Sequence, residues 1–304
     1  MVIYQHESAV KHAVPTGHPE RPERITHLTK MLDKEFSDIA RKQAPIAQRQ
    51  TLSLIHDETY LSTLFALAPE NGLQAIDGDT YLSPHSLEAA LRGVGGACAA
   101  VDDVMTGAAD SAFVAMRPPG HHAEPQRAMG FCFFSNAAIA AVHARQTYGI
   151  ENVAVLDFDV HHGNGTQASF VGQPHCYYAS THEMPLFPGT GQVSEDETIL
   201  NQPLRSGMDG TDVLAAWAPL LADLERSAPE LIIISAGFDA HRDDPLASIE
   251  MQSSDFYEVT SRIMALAQKT ASGRVVSLLE GGYDLDALAD SAHYHLMALL
   301  GKEI

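Results

Sequence analysis

The sequence has 304 residues, 45% hydrophobic and 19% charged, with 22 glycines and 16 prolines scattered without period. That composition fits one large or two ordinary globular units and excludes collagen, a coiled coil and low-complexity disorder. The 19 Lys and Arg against 39 Asp and Glu give a net charge of −20, the wrong sign for a phosphate-binding surface, so no nucleic-acid partner is expected.

A chain of this length buries roughly 75% of its unfolded surface and needs no disulfide merely to fold. Cys98, Cys132 and Cys176 have neither metal-like nor disulfide-like spacing. The opening segment MVIYQHESAV lacks a basic stretch followed by an apolar run. No stretch approaches the ~18 continuous apolar residues of a membrane span. The expectation is a cytoplasmic protein without a membrane partner, with an oligomer allowed.

In chain order, the first strong pattern is helical. Leu87, Leu91, Val94, Cys98 and Val101 form one stripe, with Ser83 as N-cap and Pro84 at the first helical position. Strand-like apolar runs follow at 112–115, 153–156 and 176–179. Residues 181–207, which include MPLFPGTG, read as a long irregular stretch, and such loops tend to be functional or disordered. A fourth strand-like run lies at 231–234. Phe256, Val259, Ile263 and Leu266 then form a second helical stripe, opened by Ser254 or Asp255, with Glu258 where a capping box from Asp255 would place it. A fifth run at 275–279 precedes a terminal helix over 285–300. Near-continuous runs such as LIII suit parallel strands covered on both faces. Strands alternating with helices predict an α/β doubly wound parallel sheet, in a single domain over 1–304.

The polar residues inside this pattern share one placement. RPPGHH (117–122), DFDVHHGNG (157–165), SAGFDAH (235–241) and EGGY (280–283) each follow a strand-like run. In an open α/β sheet, ligands bind beyond the carboxyl ends of the strands. Along extended backbone, alternate residues share a face, so Asp157, Asp159 and His161 point one way and Phe158, Val160 and His162 the other. Zinc accepts imidazole nitrogen and carboxylate oxygen, and a catalytic zinc keeps three protein ligands and one open position. Asp159 and His161 supply two, and Asp239 is the natural third; the plainer alternative is a buried ion-pair cluster. The tandem His121-His122 beside a metal suggests general acid–base catalysis, with Asp157 and Asn164 as orienting partners. A Tyr283 hydroxyl near zinc could donate to a developing oxyanion.

RPPGHH, GFCFFSN, DFDVHHGNGT, FPGTG, AGFDAHRDDPL and EGGYDL, in this order, resemble the zinc-dependent histone deacetylase superfamily. The flavour is that of the class II type and its bacterial relatives, which include acetylpolyamine amidohydrolases. The likeness runs from HPERPER (18–24) to the terminal helix. It implies an arginase-like fold, with about eight parallel strands flanked by helices. It implies one Zn2+ on Asp159, His161 and Asp239. His122, oriented by Asn164, would be base and then acid; His121, oriented by Asp157, would be its electrostatic neighbour; Tyr283 would polarise the substrate carbonyl. Phe131 and Phe187 would flank a narrow channel, with Gly130, Gly281 and Leu246 also on the substrate path. A structural K+ would sit on Asp157, Asp159, His161, Ser180 and Thr181, partly through backbone carbonyls. Arg24 would line an internal exit path for the released acid.

Arginases share that fold and carry two Mn2+, but their second-metal aspartates correspond here to Gly163 and His241, which favours a mononuclear hydrolase. Polyamine-selective vertebrate relatives carry a Glu seven residues after the third zinc ligand; here that position is Leu246. The expected activity is removal of acetyl or another short acyl group from N-acylated amines of the acyl-lysine type. The rivals are an acetylpolyamine or small-metabolite deacetylase and, from another class, a catalytically idle acyl-ligand sensor.

Overall fold

The apolar runs form the centre of one eight-stranded parallel sheet in the computed structural model, which describes residues 1–304. The strands in chain order are β1 (Val2–Gln5), β2 (Ala40–Gln43), β3 (Gln74–Ala75), β4 (Tyr81–Leu82), β5 (Ser111–Val114), β6 (Val153–Asp157), β7 (Cys176–Glu183), β8 (Ile199–Leu204), β9 (Leu231–Ala236) and β10 (Val275–Leu279). The helices are α1 (Ser8–Lys11), α2 (Glu23–Glu35), α3 (Arg49–Leu52), α4 (Glu58–Ala66), α5 (Ser86–Met105), α6 (Asn136–Tyr148), α7 (Asn164–Phe170), α8 (Gly210–Ser227), α9 (Ser253–Thr270) and α10 (Leu285–Leu299). The sheet order is β2-β1-β5-β10-β9-β6-β7-β8; β3 and β4 make a separate antiparallel pair.

Every residue of β5, β6, β9 and β10 is buried. This is why these strands read as unbroken apolar runs, since helices cover both faces. A cluster of 63 buried residues fills the layers on the two sides. Each large apolar side chain buried there contributes roughly 1.5–3 kcal/mol relative to exposure. Small residues let α6 lie close: Ala137, Ala138, Ala140, Ala141 and Ala144 are all buried.

Three sequence expectations shift. The helix expected to start at Ser83 and Pro84 starts at Ser86, with His85 as N-cap. The Ser83 hydroxyl instead accepts the Ala13 N–H at 3.1 Å, and its own N–H donates to Ser86 Oγ at 2.6 Å. Ser83 is therefore spent on pinning the N-terminal segment. The second helix opens at Gln252, with Asp255 at its third position reaching back to the Gln252 N–H at 2.7 Å. A four-residue capping pattern fits both registers there, and the earlier one forms. Residues 181–207 are not all irregular. β7 continues to Glu183, and β8 pairs parallel with it from Tyr178↔Ile199 onward. β8 is an edge strand of sequence ILNQPL, half-buried along most of its length, so it carries no apolar run to find.

Candidate active site

The sheet order makes the site. β5, β10, β9 and β6 are adjacent, so the segments that leave their carboxyl ends meet at one place. These are the four segments with the RPPGHH, EGGY, SAGFDAH and DFDVHHG sequences. Strands lie about 4.8 Å apart, which brings side chains more than a hundred residues apart in sequence within bonding distance.

Asp159, His161 and Asp239 converge there, all buried, with their ligand atoms within 4.8 Å of one another. The Nδ1 of His161 lies 3.0 Å from Asp159 Oδ1 and 3.0 Å from Asp239 Oδ2. One proton on that nitrogen serves one carboxylate, not two. Two buried carboxylates facing a single ring nitrogen are a donor set that would suit a cation. The remaining oxygens are held by backbone N–H groups, from Gly281 to Asp159 Oδ2 at 2.8 Å and from Val160 to Asp239 Oδ1 at 2.9 Å. Burial favours the neutral carboxyl of Asp159, but His121 and His161 outweigh it and hold Asp159 well below the usual range. Burial and the nearby Asp159 push Asp239 up. Burial opposes charge on His161, yet Asp159 and Asp239 raise it well above an ordinary imidazole. Gly281 is demanded by this crowding, since a Cβ there would overlap the carboxylate oxygens of Asp239 and Asp159. The alternation expected for this segment holds. Phe158 and Val160 face the core, and His162 turns away to Thr190 and Gln167, at 2.8 Å each.

The paired imidazoles lie beside the triad, with ring centroids 4.0 Å apart. His121 Nδ1 is 3.0 Å from Asp157 Oδ2, and His122 Nδ1 is 2.8 Å from Asn164 Oδ1. Both orienting partners are those expected from the sequence. An amide oxygen only accepts, so His122 carries its proton on Nδ1 and leaves Nε2 unprotonated. Burial disfavours charge on His121, but Asp159 and Asp157 overcome it and lift the pKa to about 10. Burial and the adjacent His121 and His161 drive His122 well below an ordinary imidazole. Gly130 follows from this packing: it has φ 55° and a Cβ there would press on the His122 ring.

Tyr283 is buried, and its hydroxyl bonds no protein group; burial and the field of Asp239 push its pKa well up, so it stays protonated. The Arg24 guanidinium lies 4.9 Å from the Tyr283 ring centroid, fully buried. It donates to the carbonyls of Gly282 and Glu280, both at 2.6 Å. The Phe131 ring meets Tyr283 edge-on at 5.9 Å, and the Phe187 ring meets His122 edge-on at 5.0 Å. Phe187 is 41% exposed, so it lies where the site opens to solvent. Ser180 pairs with Asp157 in the β6–β7 register, and Thr181 follows it. Leu246 is half-buried, in the turn after β9, with its N–H donated to Asp244 at 3.0 Å.

Four supporting residues escaped the sequence reading. Glu280 accepts the N–H groups of Gly120 and His121 at 2.7 and 3.2 Å and fixes the histidine loop. Tyr178 donates to Asp157 at 3.1 Å while accepting the Gly163 N–H at 2.9 Å. Asp244 accepts the Tyr283 N–H at 2.7 Å. Glu20 accepts from Arg117 at 2.7 Å and Arg24 at 3.0 Å, entirely buried. Glu20, Glu280 and Asp244 lie inside motifs already singled out; Tyr178 sits mid-strand and gives no signal.

The one group of His, Cys, Asp and Glu side chains gathered closely enough to hold a metal is Asp159, His161 and Asp239. At Gly163 any side chain would strike Asp157 and Tyr178, and the His241 ring hydrogen-bonds Ser253 at 3.2 Å. An eight-stranded parallel α/β sheet with one buried Asp–His–Asp cation site and an oriented histidine pair defines a class of amidohydrolase. The chain belongs to the histone deacetylase family, whose domain, described as "Histone deacetylase domain", matches residues 18–299. It is 39% identical to the histone deacetylase-like amidohydrolase of Pseudomonas aeruginosa over 88% of this chain and 73% of that one. It is 34% identical to histone deacetylase 14, chloroplastic, of Arabidopsis thaliana, over 99% of this chain and 77% of that one. The crystal structure of the HDA15 HD domain superposes with a TM-score of 0.92 at 31% identity, covering 99% of this chain and 88% of that chain. No helix is long and apolar enough to cross a membrane.

Proposed function

We propose that the protein is a zinc-dependent deacylase that removes acetyl or another short acyl group from N-acylated amines of the acyl-lysine type. The observation that carries this reading is the His161 Nδ1 shared by Asp159 and Asp239, within one cluster with His122. Zinc bound there supplies Lewis acidity. His122 takes the proton of the attacking water on Nε2 and later delivers it to the leaving amine. His121, whose charge Asp159 and Asp157 favour, stabilises negative charge on the reacting oxygen and disfavours charge on its neighbour. The Tyr283 hydroxyl donates to the oxygen that becomes anionic, a bond that strengthens as charge develops. Phe131 and Phe187 flank the acyl-lysine stem, Gly130 and Gly281 leave room beside it, and Arg24 borders the way out for the carboxylate product.

A structural K+ on Asp157, Asp159, His161, Ser180 and Thr181 belongs to the same proposal, supported by the Asp157↔Ser180 register. The test is kcat/KM on an acetyl-lysine peptide, longer acyl-lysine peptides and acetylputrescine at fixed zinc. Turnover of the peptides supports the reading. Turnover of acetylputrescine alone makes the protein a polyamine deacetylase, and binding without turnover makes it a sensor.

A further inference from the structure

The neutral partner of His122 is itself held by a carboxylate, that of Glu124. Asn164 Nδ2 donates to Glu124 Oε1 at 2.7 Å; its two other contacts are longer, to the His122 carbonyl at 3.4 Å and Met129 Sδ at 3.3 Å. Asn164 Oδ1 is thereby left for the His122 Nδ1 proton. If the amide were reversed, Oδ1 would face the Glu124 carboxylate and the His122 carbonyl, acceptor against acceptor. Nδ2 would meet His122 Nδ1, and the imidazole would have to move its proton to Nε2, the atom the base role needs free.

Glu124 is well placed to enforce this. It closes a tight turn, with Glu124 N–H to Arg127 O at 2.9 Å and Arg127 N–H to Glu124 O at 3.2 Å. The next residue is anchored to the body of the protein: the Pro125 carbonyl accepts from His56 Nδ1 and from the Asp57 N–H, both at 3.3 Å. Its half-buried carboxylate has no cationic partner, and Asn164 is the one side chain it bonds.

We propose that Glu124 is a positioning residue for the reaction: through Asn164 it fixes the proton of His122 on Nδ1 and polarises the amide that holds it. The chain carboxylate–amide–imidazole then gives His122 part of the support that His121 receives directly from Asp157. Hydrogen bonds in such a chain reinforce one another. This rests on His122 being the base, and it is tested apart from it.

The experiment combines kinetics on the zinc-loaded enzyme with 15N NMR of the metal-free protein. Glu124→Ala lowers kcat about 10-fold to 100-fold, the usual cost of losing such an orienting partner, with KM within twofold. The His122 Nδ1–H resonance weakens or disappears. Glu124→Gln can still accept from Asn164, so it keeps the fold and the resonance but loses the charge, and its kcat falls less. Asn164→Asp sets two carboxylates against each other and is impaired. Adding Glu124→Gln to it restores a donor–acceptor pair, with the charge now beside His122, and recovers at least tenfold in kcat. The proposal is overturned if Glu124→Ala keeps kcat within twofold, if its Nδ1–H resonance is unchanged, or if the double variant is no better than Asn164→Asp. A His122→Ala enzyme with normal kcat would instead overturn the base assignment, while the resonance still reports on the Glu124 contact.

Discussion

The rings of His121 and His122 lie with centroids 4.0 Å apart and tilted by 44°, yet their surroundings drive them in opposite directions. His121 faces the carboxylates of Asp157 and Asp159, and its pKa rises to about 10; His122 faces an amide and falls well below the imidazole range. In the proposed reaction, adjacent groups pushed apart in this way suit a fixed charge beside a free base.

The base is testable against the other histidines. His122→Ala is expected to lower kcat by about 10²-fold or more. Substitution of a histidine outside the site, such as His27, which pairs with Asp286 at the surface, should leave kcat within twofold. Near-normal kcat in His122→Ala would remove His122 from the reaction.

Tyr283→Phe deletes one hydroxyl and almost no volume. The loss of one oxyanion donor typically costs about 10²–10³ in kcat, or ~2.7–4 kcal/mol. The ring and its contact with Phe131 should persist, so stability and KM should change little. An effect confined to KM would make Tyr283 a binding group only.

The proposed substrate path includes Leu246, an apolar residue at a position where a carboxylate would pair with a distal ammonium, an interaction worth roughly 1.5–3 kcal/mol. Leu246→Glu is expected to shift kcat/KM from acetyl-lysine peptide towards N8-acetylspermidine. The net charge of −20 acts over a Debye length of about 8 Å at physiological salt, so it should alter on-rates more than this preference. A hundredfold preference of the unmodified enzyme for the polyamine would show that another acidic group shapes the entrance.

His295 sets part of the acid limit of stability. It is fully buried between Thr260 Oγ1 at 2.7 Å and Ser277 Oγ at 2.8 Å, and burial lowers its pKa to about 3. The unfolded chain takes up this proton near pH 6.5 and the folded protein near pH 3. Stability is therefore lost as pH falls through that window, by about 2 kcal/mol between pH 7 and pH 5 from this residue. Urea unfolding across pH 7 to 5 should give a shallower decline for His295→Asn than for the unmodified protein, although its stability at pH 7 is lower. Parallel declines would exclude the contribution.

The four central strands and the chemistry at their ends were legible because both follow from short-range pattern. Buried parallel strands must be apolar, and the polar residues after them stand out. Asp159, His161 and Asp239 could be grouped on residue type and on alternation along one extended segment. Sequence order could not show that β5, β10, β9 and β6 are neighbours, a tertiary fact that makes the grouping real. Edge strands β2 and β8 were illegible because solvent contact lets them be polar. Glu124 and Tyr178 bond partners distant in sequence, and nothing local distinguishes such a residue from a surface or core one; Glu20 lies inside HPERPER, but its bond to Arg117 spans 97 residues.

The central claim is that one zinc ion, held by Asp159, His161 and Asp239, is needed for amide hydrolysis. The direct measurement is hydrolysis of an acetyl-lysine peptide by metal-stripped protein titrated with Zn2+, with bound metal counted by elemental analysis. The expected result is activity that rises linearly to one equivalent per chain and then levels, and that Asp239→Ala, still folded, never regains. Hydrolysis by the stripped protein, or activity that needs two tightly bound Mn2+ per chain, would contradict the account.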